Sequence, residues 1–554
     1  MSKKKLDIIE ISLAIAVIIC VNIILAGIVW RADLTEDRRF SLSDYTMKSL
    51  ETLSDEVYIE VYLAGELNPD YSKLKKSISE TLELFKIYGG DNINFRFFDP
   101  NSITDKKLRE QYYEQLLKKG IRYQYDLVEE GGKKEEKIVF PGALVVSGNK
   151  QIPVSFLKGN KLQPLSEQLN ESEESIEYEL MMALRQLNVK VSKSIAFIEG
   201  HGEYAASEVA DISTDLNNFY NVNRTTITNE KSLLPYSAVI IAGPDSAYSE
   251  KEKFLLDQYI VNGGSALFLI DPLNLNHDSL VSGKTFAFPY KLELDDMLFK
   301  YGVRLNPVIV QDLNAGLLRA QAGEAGKFEM VNWPYFPIVY NFSKHPIVKS
   351  LDAIKLKYIS TIDTTKSQGI KKTPLIFTSA NTKVAAAPLM VELNEIKNST
   401  KETFNGGVKT LAYLLEGKFT SNYSNRPSPI SGAKVQSQNK AGKIIVVADA
   451  DIIRNDFDRL KGKPIPLGYD ADIQYQFSNK DFLINSIDYL ASESIVDIKS
   501  KEIKLRPLDK IRIAEERNFW QVLNIAGPIA LLLIAGIAAY FVRKNRFEKH
   551  VDQP

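Results

Sequence analysis

Residues 238–271 read AVIIAGPDSAYSEKEKFLLDQYIVNGGSALFLID. The runs AVIIAGP and ALFLIDP are apolar throughout, as strands covered on both faces are, and a helix fills Ser249–Val261 between them. The same alternation extends outward in both directions. Upstream, Ser194–Glu199 (SIAFIE) is a strand that runs into Gly200-His201-Gly202-Glu203, followed by a helix to about Tyr220 and a strand at Asn223–Thr228. Downstream, Lys443–Asp449 (KIIVVAD) is a further strand and Asp481–Leu490 the helix after it. Strand–helix alternation of this kind predicts an α/β fold with a parallel, doubly wound sheet over residues 191–495. A stretch at about Asn306–Lys440 reads as an insertion, with one strand at Pro374–Thr378 and a polar loop at Asn425–Lys440.

A second α/β unit precedes it, at residues 57–170. Val57–Leu63 (VYIEVYL) and Ile93–Phe98 are strands by their β-branched and aromatic content. Between them Leu74, Ile78, Leu82 and Phe85 repeat at helical spacing within Tyr71–Tyr88. A helix at about Asp105–Lys119 and strands near Lys137–Phe140, Ala143–Val146 and Gln151–Phe156 complete a thioredoxin-like layer. Ser172–Leu187 is a helix bridging the two units (171–190), with Ile176, Leu180, Ala183, Leu184 and Leu187 on one face. The acids of NESEES at its start suit the macrodipole.

Both ends of the chain are apolar. Ile11–Trp30 (ISLAIAVIICVNIILAGIVW) and Phe519–Val542 (FWQVLNIAGPIALLLIAGIAAYFV) are each long enough to cross about 30 Å of hydrocarbon as a helix. Lys3–Lys5 precede the first and Arg543, Lys544, Arg546 and Lys549 follow the second, so both termini (1–10 and 543–554) are placed in the cytoplasm. Residues 31–518 then lie on the far side, with a membrane-proximal helix at 31–56 capped by Ser43 and a juxtamembrane stem at 496–518. A cleaved signal peptide fits the first run less well, because it is longer than a normal apolar core and no A-x-A site follows.

Composition narrows the chemistry. The 554 residues carry a net charge of −1, which leaves no electrostatic footprint for nucleic acid. Cys20 is the only cysteine and falls inside the first apolar run, so disulfide, CxxC redox and thiolate–zinc chemistry are excluded outside the membrane. There is no G-x-S-x-G and no GxxxxGK[ST], and Gly200-x-Gly202 lacks the third glycine of a dinucleotide fingerprint. No cofactor or metal is expected. Loops at the carboxyl ends of parallel strands are where doubly wound folds bind ligands. Here those loops bring together His201, Glu203, Asp271, Asp449, Asp451, Arg454 and Asn455 as candidate ligand-binding residues. The functional reading is a small-ligand pocket or a degenerate active site; the structural reading is turn and cap chemistry. His277 and His345, beside Asn276 and Pro346, read as loop residues.

Short stretches in order along the chain carry a resemblance. They are DLTED at Asp33 with RRFSLSD, FIEGHGE at Phe197, LDDMLFKYGVRLNP at Leu294, NWPYFPIV at Asn332, FSKHPIV at Phe342, ADADIIRND at Ala448 and PLGYD at Pro466. As a set, with two apolar ends, this resembles the GldG family of gliding-motility-associated ABC transporter auxiliary proteins. The resemblance implies an extracytoplasmic, glutamine-amidotransferase-like domain anchored in the bacterial inner membrane. It also implies a permease partner and, through it, a cytoplasmic ATPase subunit, and a non-enzymatic role that presents a domain to an envelope or cargo partner. Two alternatives stay open: a membrane-anchored hydrolase or amidotransferase using His201, and a structural scaffold of an envelope machine.

Overall fold

A computed structural model describes residues 41–130, 133–158, 164–187, 193–229, 231–321, 328–393, 401–458, 462–492, 494–500 and 516–548, together with 12, 13, 16 and 17. The expected first span, Ile11–Trp30, apart from residues 12, 13, 16 and 17, and most of the expected stem therefore lie outside the described residues.

The first unit begins with α1 (Asp44–Glu51), capped by the Ser43 side chain on the Thr46 N–H. It continues through β1 (Val57–Val61), α2 (Pro69–Gly89), β2 (Ile93–Phe97), α3 (Lys106–Lys118), β3 (Gly142–Ser147) and β4 (Lys150–Ser155). The strands form one sheet in the order β2-β1-β3-β4, with β1 and β2 parallel and β3 antiparallel to both β1 and β4. A hairpin of Gln124–Glu130 with Lys133–Val139 stands apart from that sheet. Leu74, Ile78, Leu82 and Phe85 are fully buried, so α2 covers the sheet with the stripe its sequence spacing defines.

Helix α4 (Leu165–Leu187) joins this unit to the second. Its Ile176, Leu180, Met181 and Leu184 belong to the first unit's core. Its polar side chains reach instead to α7 (Asn479–Leu490) of the second unit. Tyr178 donates to Asn485 Oδ1 at 2.8 Å, and Arg185 Nη1 binds both oxygens of Asp488 at 2.9 and 3.0 Å. The Tyr220 hydroxyl also donates to Asp488, which is fully buried.

The second unit contains β5 (Ser194–Glu199), α5 (Ala210–Asn217), β6 (Asn221–Thr226), β7 (Ala238–Ala242), α6 (Glu250–Val261) and β8 (Ser265–Leu269). It then adds β9 (Asn341–Phe342), β10 (Ile370–Phe377), β11 (Thr410–Lys418) and β12 (Ala441–Val447), ahead of α7. One eight-stranded sheet runs β9-β10-β11-β12-β8-β7-β5-β6. Every residue of β7 and β8 is buried, and Ser249 and Glu252 form a reciprocal capping box at the start of α6. A cap of this kind contributes about 1 kcal/mol.

The expected all-parallel sheet is corrected. β6, β5, β7, β8 and β12 are mutually parallel, but β9, β10 and β11 are antiparallel and extend the same sheet. They come from the stretch read as an insertion. β11 returns to β12 with no helix among the described residues between them, and a connection without a crossover helix gives an antiparallel pair. Within the parallel part the spatial order is second, first, third, fourth, fifth. The topological switch point therefore falls between β5 and β7.

The chain leaves this unit through a 3₁₀ segment, Ser494–Ser500, where the sequence suggested an extended stem. Ile495, Val496 and Ile498 are buried in the first unit's core alongside Leu42 and Leu50. The first and last described segments of the body thus share one core.

The C-terminal residues form a separate unit. Helix α8 (Arg517–Glu548) is 32 residues long and continuous through Pro528. Its segment Phe519–Val542 has no buried residue and is long and apolar enough to cross a membrane.

Candidate functional site

The loops after β5 and β7 meet at the switch point. Asp245 and Ser246 donate their N–H groups to the His201 carbonyl at 2.8 and 3.1 Å. Glycines with positive φ shape both sides of this junction. Gly202 has φ +76°, and a Cβ there would stand 1.8 Å from Asp245 Oδ1; Gly243 has φ +65°, with the Tyr204 ring 2.7 Å from its would-be Cβ.

His201 is 4% exposed and stacked on Tyr248, ring centroids 3.6 Å apart. Its Nδ1 lies 3.2 Å from Glu203 Oε1 and its Nε2 3.3 Å from Glu252 Oε2. Its backbone N–H donates to Glu203 Oε2 at 2.7 Å, and the Tyr248 hydroxyl donates to Glu203 Oε1 at 2.6 Å. Burial alone would push the imidazole down, but its hydrogen bonds to Glu203 and Glu252, with the charges of those carboxylates, outweigh it and hold the imidazole above its ordinary value. Both ring nitrogens are occupied by carboxylates inside a closed cage. His201 and Glu203 therefore hold two loops together, and neither lines the cleft described next.

That cleft, about 1080 Å³, opens beyond the carboxyl ends of β8 and β12. Asp451, Arg454 and Asn455 line it, as do Glu208, His277, Phe336, Lys357, Tyr358 and Asp456. Asp271 and Asp449 are not among its lining residues. Asp271 Oδ1 accepts the Ala450 N–H at 2.7 Å, and fully buried Asp449 accepts the Lys357 N–H at 2.8 Å. Burial, reinforced by the charge of Asp451, pushes Asp271 up to about 8, against the opposing Ala450 N–H and Arg454 charge. Burial, with Asp271 and Asp451 nearby, raises Asp449 well above the usual carboxylate range. These two acids act as scaffold: Asp449 clamps the Lys357–Tyr358 turn onto the sheet edge.

That turn is strained. Tyr358 has φ +53°, a region costly for a bulky side chain and tolerated where the surroundings over-determine it. Its N–H donates to the Tyr335 carbonyl at 2.8 Å, and its hydroxyl lies 2.7 Å from His277 Nδ1. His277, Phe336 and Tyr358 form an aromatic wall with centroids 5.3 to 5.9 Å apart. Charged pairs line the same cleft. Arg454 Nη2 meets Glu208 Oε1 at 2.7 Å, and the guanidinium lies over the Tyr204 ring. Lys357 Nζ meets Asp456 Oδ1 at 2.9 Å. Burial pulls the Lys357 ammonium down, but Asp456 and Asp451 keep it above its ordinary value. Asn455 is a strap: its Oδ1 accepts from Asp211 N and its backbone N–H donates to the Glu208 carbonyl.

Of the residues the sequence singles out, Asp451, Arg454 and Asn455 line this cleft, while His201, Glu203, Asp271 and Asp449 do not; the rest of its lining is not marked in the sequence. His277 was read as a loop residue, and nothing in the sequence marks Lys357-Tyr358 as partners of a strand some 90 residues later. Among the described residues no group of His, Cys, Asp or Glu is arranged to hold a metal ion.

Residues 192–486, more than half of the chain and nearly all of the second unit, match the family described as an ABC-type uncharacterized transport system. The chain belongs to this family of ABC-transporter auxiliary proteins. Residues 36–146 match a domain of unknown function. An uncharacterized protein of Borreliella burgdorferi is 20% identical over 99% of this chain and 100% of its own length. The solved mmIFT52 N-terminal domain aligns over 54% of this chain and 97% of that one at 12% identity, with a TM-score of 0.32, too loose to define a shared fold. Family membership assigns the chain an accessory role in an ABC-type transport system, and with the apolar α8 it points to membrane association.

Proposed function

We propose that this protein is a non-catalytic, membrane-anchored accessory subunit of an ABC transporter, of the gliding-motility-associated kind that its sequence resembles. The family match over residues 192–486 carries this reading. Its two apolar ends, Ile11–Trp30 and Phe519–Val542, span the inner membrane with both termini cytoplasmic, pack on the permease and contact the ATPase subunit through it. The body is periplasmic and consists of a thioredoxin-like unit and an amidotransferase-like unit. The common core of Leu42, Leu50, Ile495, Val496 and Ile498 supports this arrangement, because chain ends that meet in one core can be anchored in one membrane. The cleft beside Asp451 and Arg454 is the face that meets the client. The caged His201 supports a non-catalytic reading, since a general base needs a free nitrogen within reach of substrate.

The test is affinity purification of the tagged full chain in mild detergent. A permease and an ATPase subunit should come down at near-equal yield; neither doing so would end the transporter reading.

A further inference from the structure

The cleft has two dissimilar walls, and their chemistry restricts what it can hold. One is the His277–Phe336–Tyr358 ring cluster. The other carries opposite charges side by side: Glu208, Asp451 and Asp456 with Lys357 and Arg454. With three carboxylates to two cations, such a wall offers no net attraction to a polyanion such as nucleic acid or polyphosphate.

The charged wall is not fully closed on itself. Arg454 spends Nη2 on Glu208, but its Nη1 stands 3.6 Å from Asp451 Oδ1, an ion-pair distance beyond a hydrogen bond. Asp451 Oδ1 is held in place by the Tyr204 hydroxyl at 3.0 Å, and the Arg454 guanidinium lies 5.1 Å above the same Tyr204 ring. Tyr204 thus fixes a cation and a carboxylate next to each other, separated by slightly more than their own contact requires. A planar guanidinium with donors to spare is suited to a carboxylate, and the adjacent carboxylate is suited to an ammonium. A ligand carrying both groups exchanges one ion pair for two charge-assisted contacts. A neutral polyol would have to compete with the existing pair and gains only weaker bonds. The strained Tyr358, in the turn that Asp449 clamps through the Lys357 N–H, adds aromatic surface to the same cleft, suited to an apolar side chain.

We propose that the cleft binds an amphoteric ligand of the α-amino-acid class, its carboxylate on Arg454, its adjacent ammonium against Asp451, and an apolar side chain on the His277–Phe336–Tyr358 wall. The inference rests on the reading of this cleft as the client-binding face, and it names the chemistry of the client.

The test is calorimetric titration of the full chain in detergent with three probes: L-phenylalanine, N-acetyl-L-phenylalanine amide and maltotriose. Free phenylalanine should bind and the other two should not. Arg454→Ala should weaken binding on the order of 10- to 100-fold, the range for loss of a charge-assisted contact, with Arg454→Lys intermediate. Circular dichroism and thermal unfolding of both variants check that the fold is intact. If the blocked amino acid binds as well as the free one, the two charged groups are not what is recognised and the proposal fails. If maltotriose alone binds, the ligand is a glycan and the proposal fails. If none binds, the amino-acid class is overturned, whereas the transporter reading stands or falls separately by co-purification.

Discussion

Asp271→Asn isolates the electrostatics beneath the cleft. In the folded chain this carboxyl is pushed up to about 8, chiefly by burial and then by Asp451. In the unfolded chain it titrates near 4. The folded state therefore holds a proton over that window that the unfolded state releases. A raised carboxyl of this kind makes stability fall as pH rises from about 4 to about 8. At 1.36 kcal/mol per pH unit that window bounds the loss at about 5.5 kcal/mol, shared with Asp449, whose carboxyl the Asp271 charge also raises. Asparagine keeps an oxygen for the Ala450 N–H, 2.7 Å from Asp271 Oδ1, and cannot ionise. The variant should therefore match wild type near pH 4.5 and become progressively more stable than it, by several kcal/mol at pH 8. Thermal unfolding followed by tryptophan emission reads this out, because Trp333 is fully buried in the body. His201 titrates in the same direction, so the informative quantity is the difference between variant and wild type at each pH. A difference that does not change with pH, or that favours wild type as pH rises, would refute the assignment.

Three further outcomes follow from the same geometry. Arg185→Ala leaves fully buried Asp488 with the Tyr220 hydroxyl and without its bidentate cation, and should cost about 3–5 kcal/mol in urea unfolding; a cost below about 1 kcal/mol would mean the pair does not lock α4 to α7. Gly202→Ala puts a side chain at φ +76° and pushes the exposed Asp245 carboxylate aside, so it should cost about 1 kcal/mol in urea unfolding, chiefly as backbone strain; no loss would mean that the β5–β7 junction does not hold this conformation. A chain ending at Arg517, without the apolar segment of α8, should stay in the carbonate-resistant membrane fraction if Ile11–Trp30 is also a span; release into the supernatant would refute the two-span reading.

The parallel part of the sheet was legible because β7 and β8 are buried along their whole length, and burial on both faces leaves an apolar run that a sequence displays directly. α6 was legible to within a residue because its cap, Ser249, is also a sequence signal. β10 was only partly legible: its first five residues are partly or wholly exposed, its register shifts around Pro374 and Ile376, and neither alternation nor an apolar run survives that. The hairpin strand Gln124–Glu130 escaped for a similar reason, being polar and paired away from the main sheet. At the site, chain-local chemistry was visible and cross-chain chemistry was not. ADADIIRND announces carboxylates at a strand end, but whether each lines a cleft or props up a neighbour depends on residues such as Lys357, whose N–H meets Asp449 only after folding. His201 was conspicuous as a histidine between glycines. Its partners Tyr248 and Glu252, which make it structural, lie on the next loop and helix.

The claim that this chain is a resident transporter subunit is tested most directly by native mass measurement of the complex purified through the full-length protein. The account predicts a single species containing this chain together with permease and ATPase subunits in fixed ratio. A species made only of this chain, or of this chain with soluble partners, would contradict it.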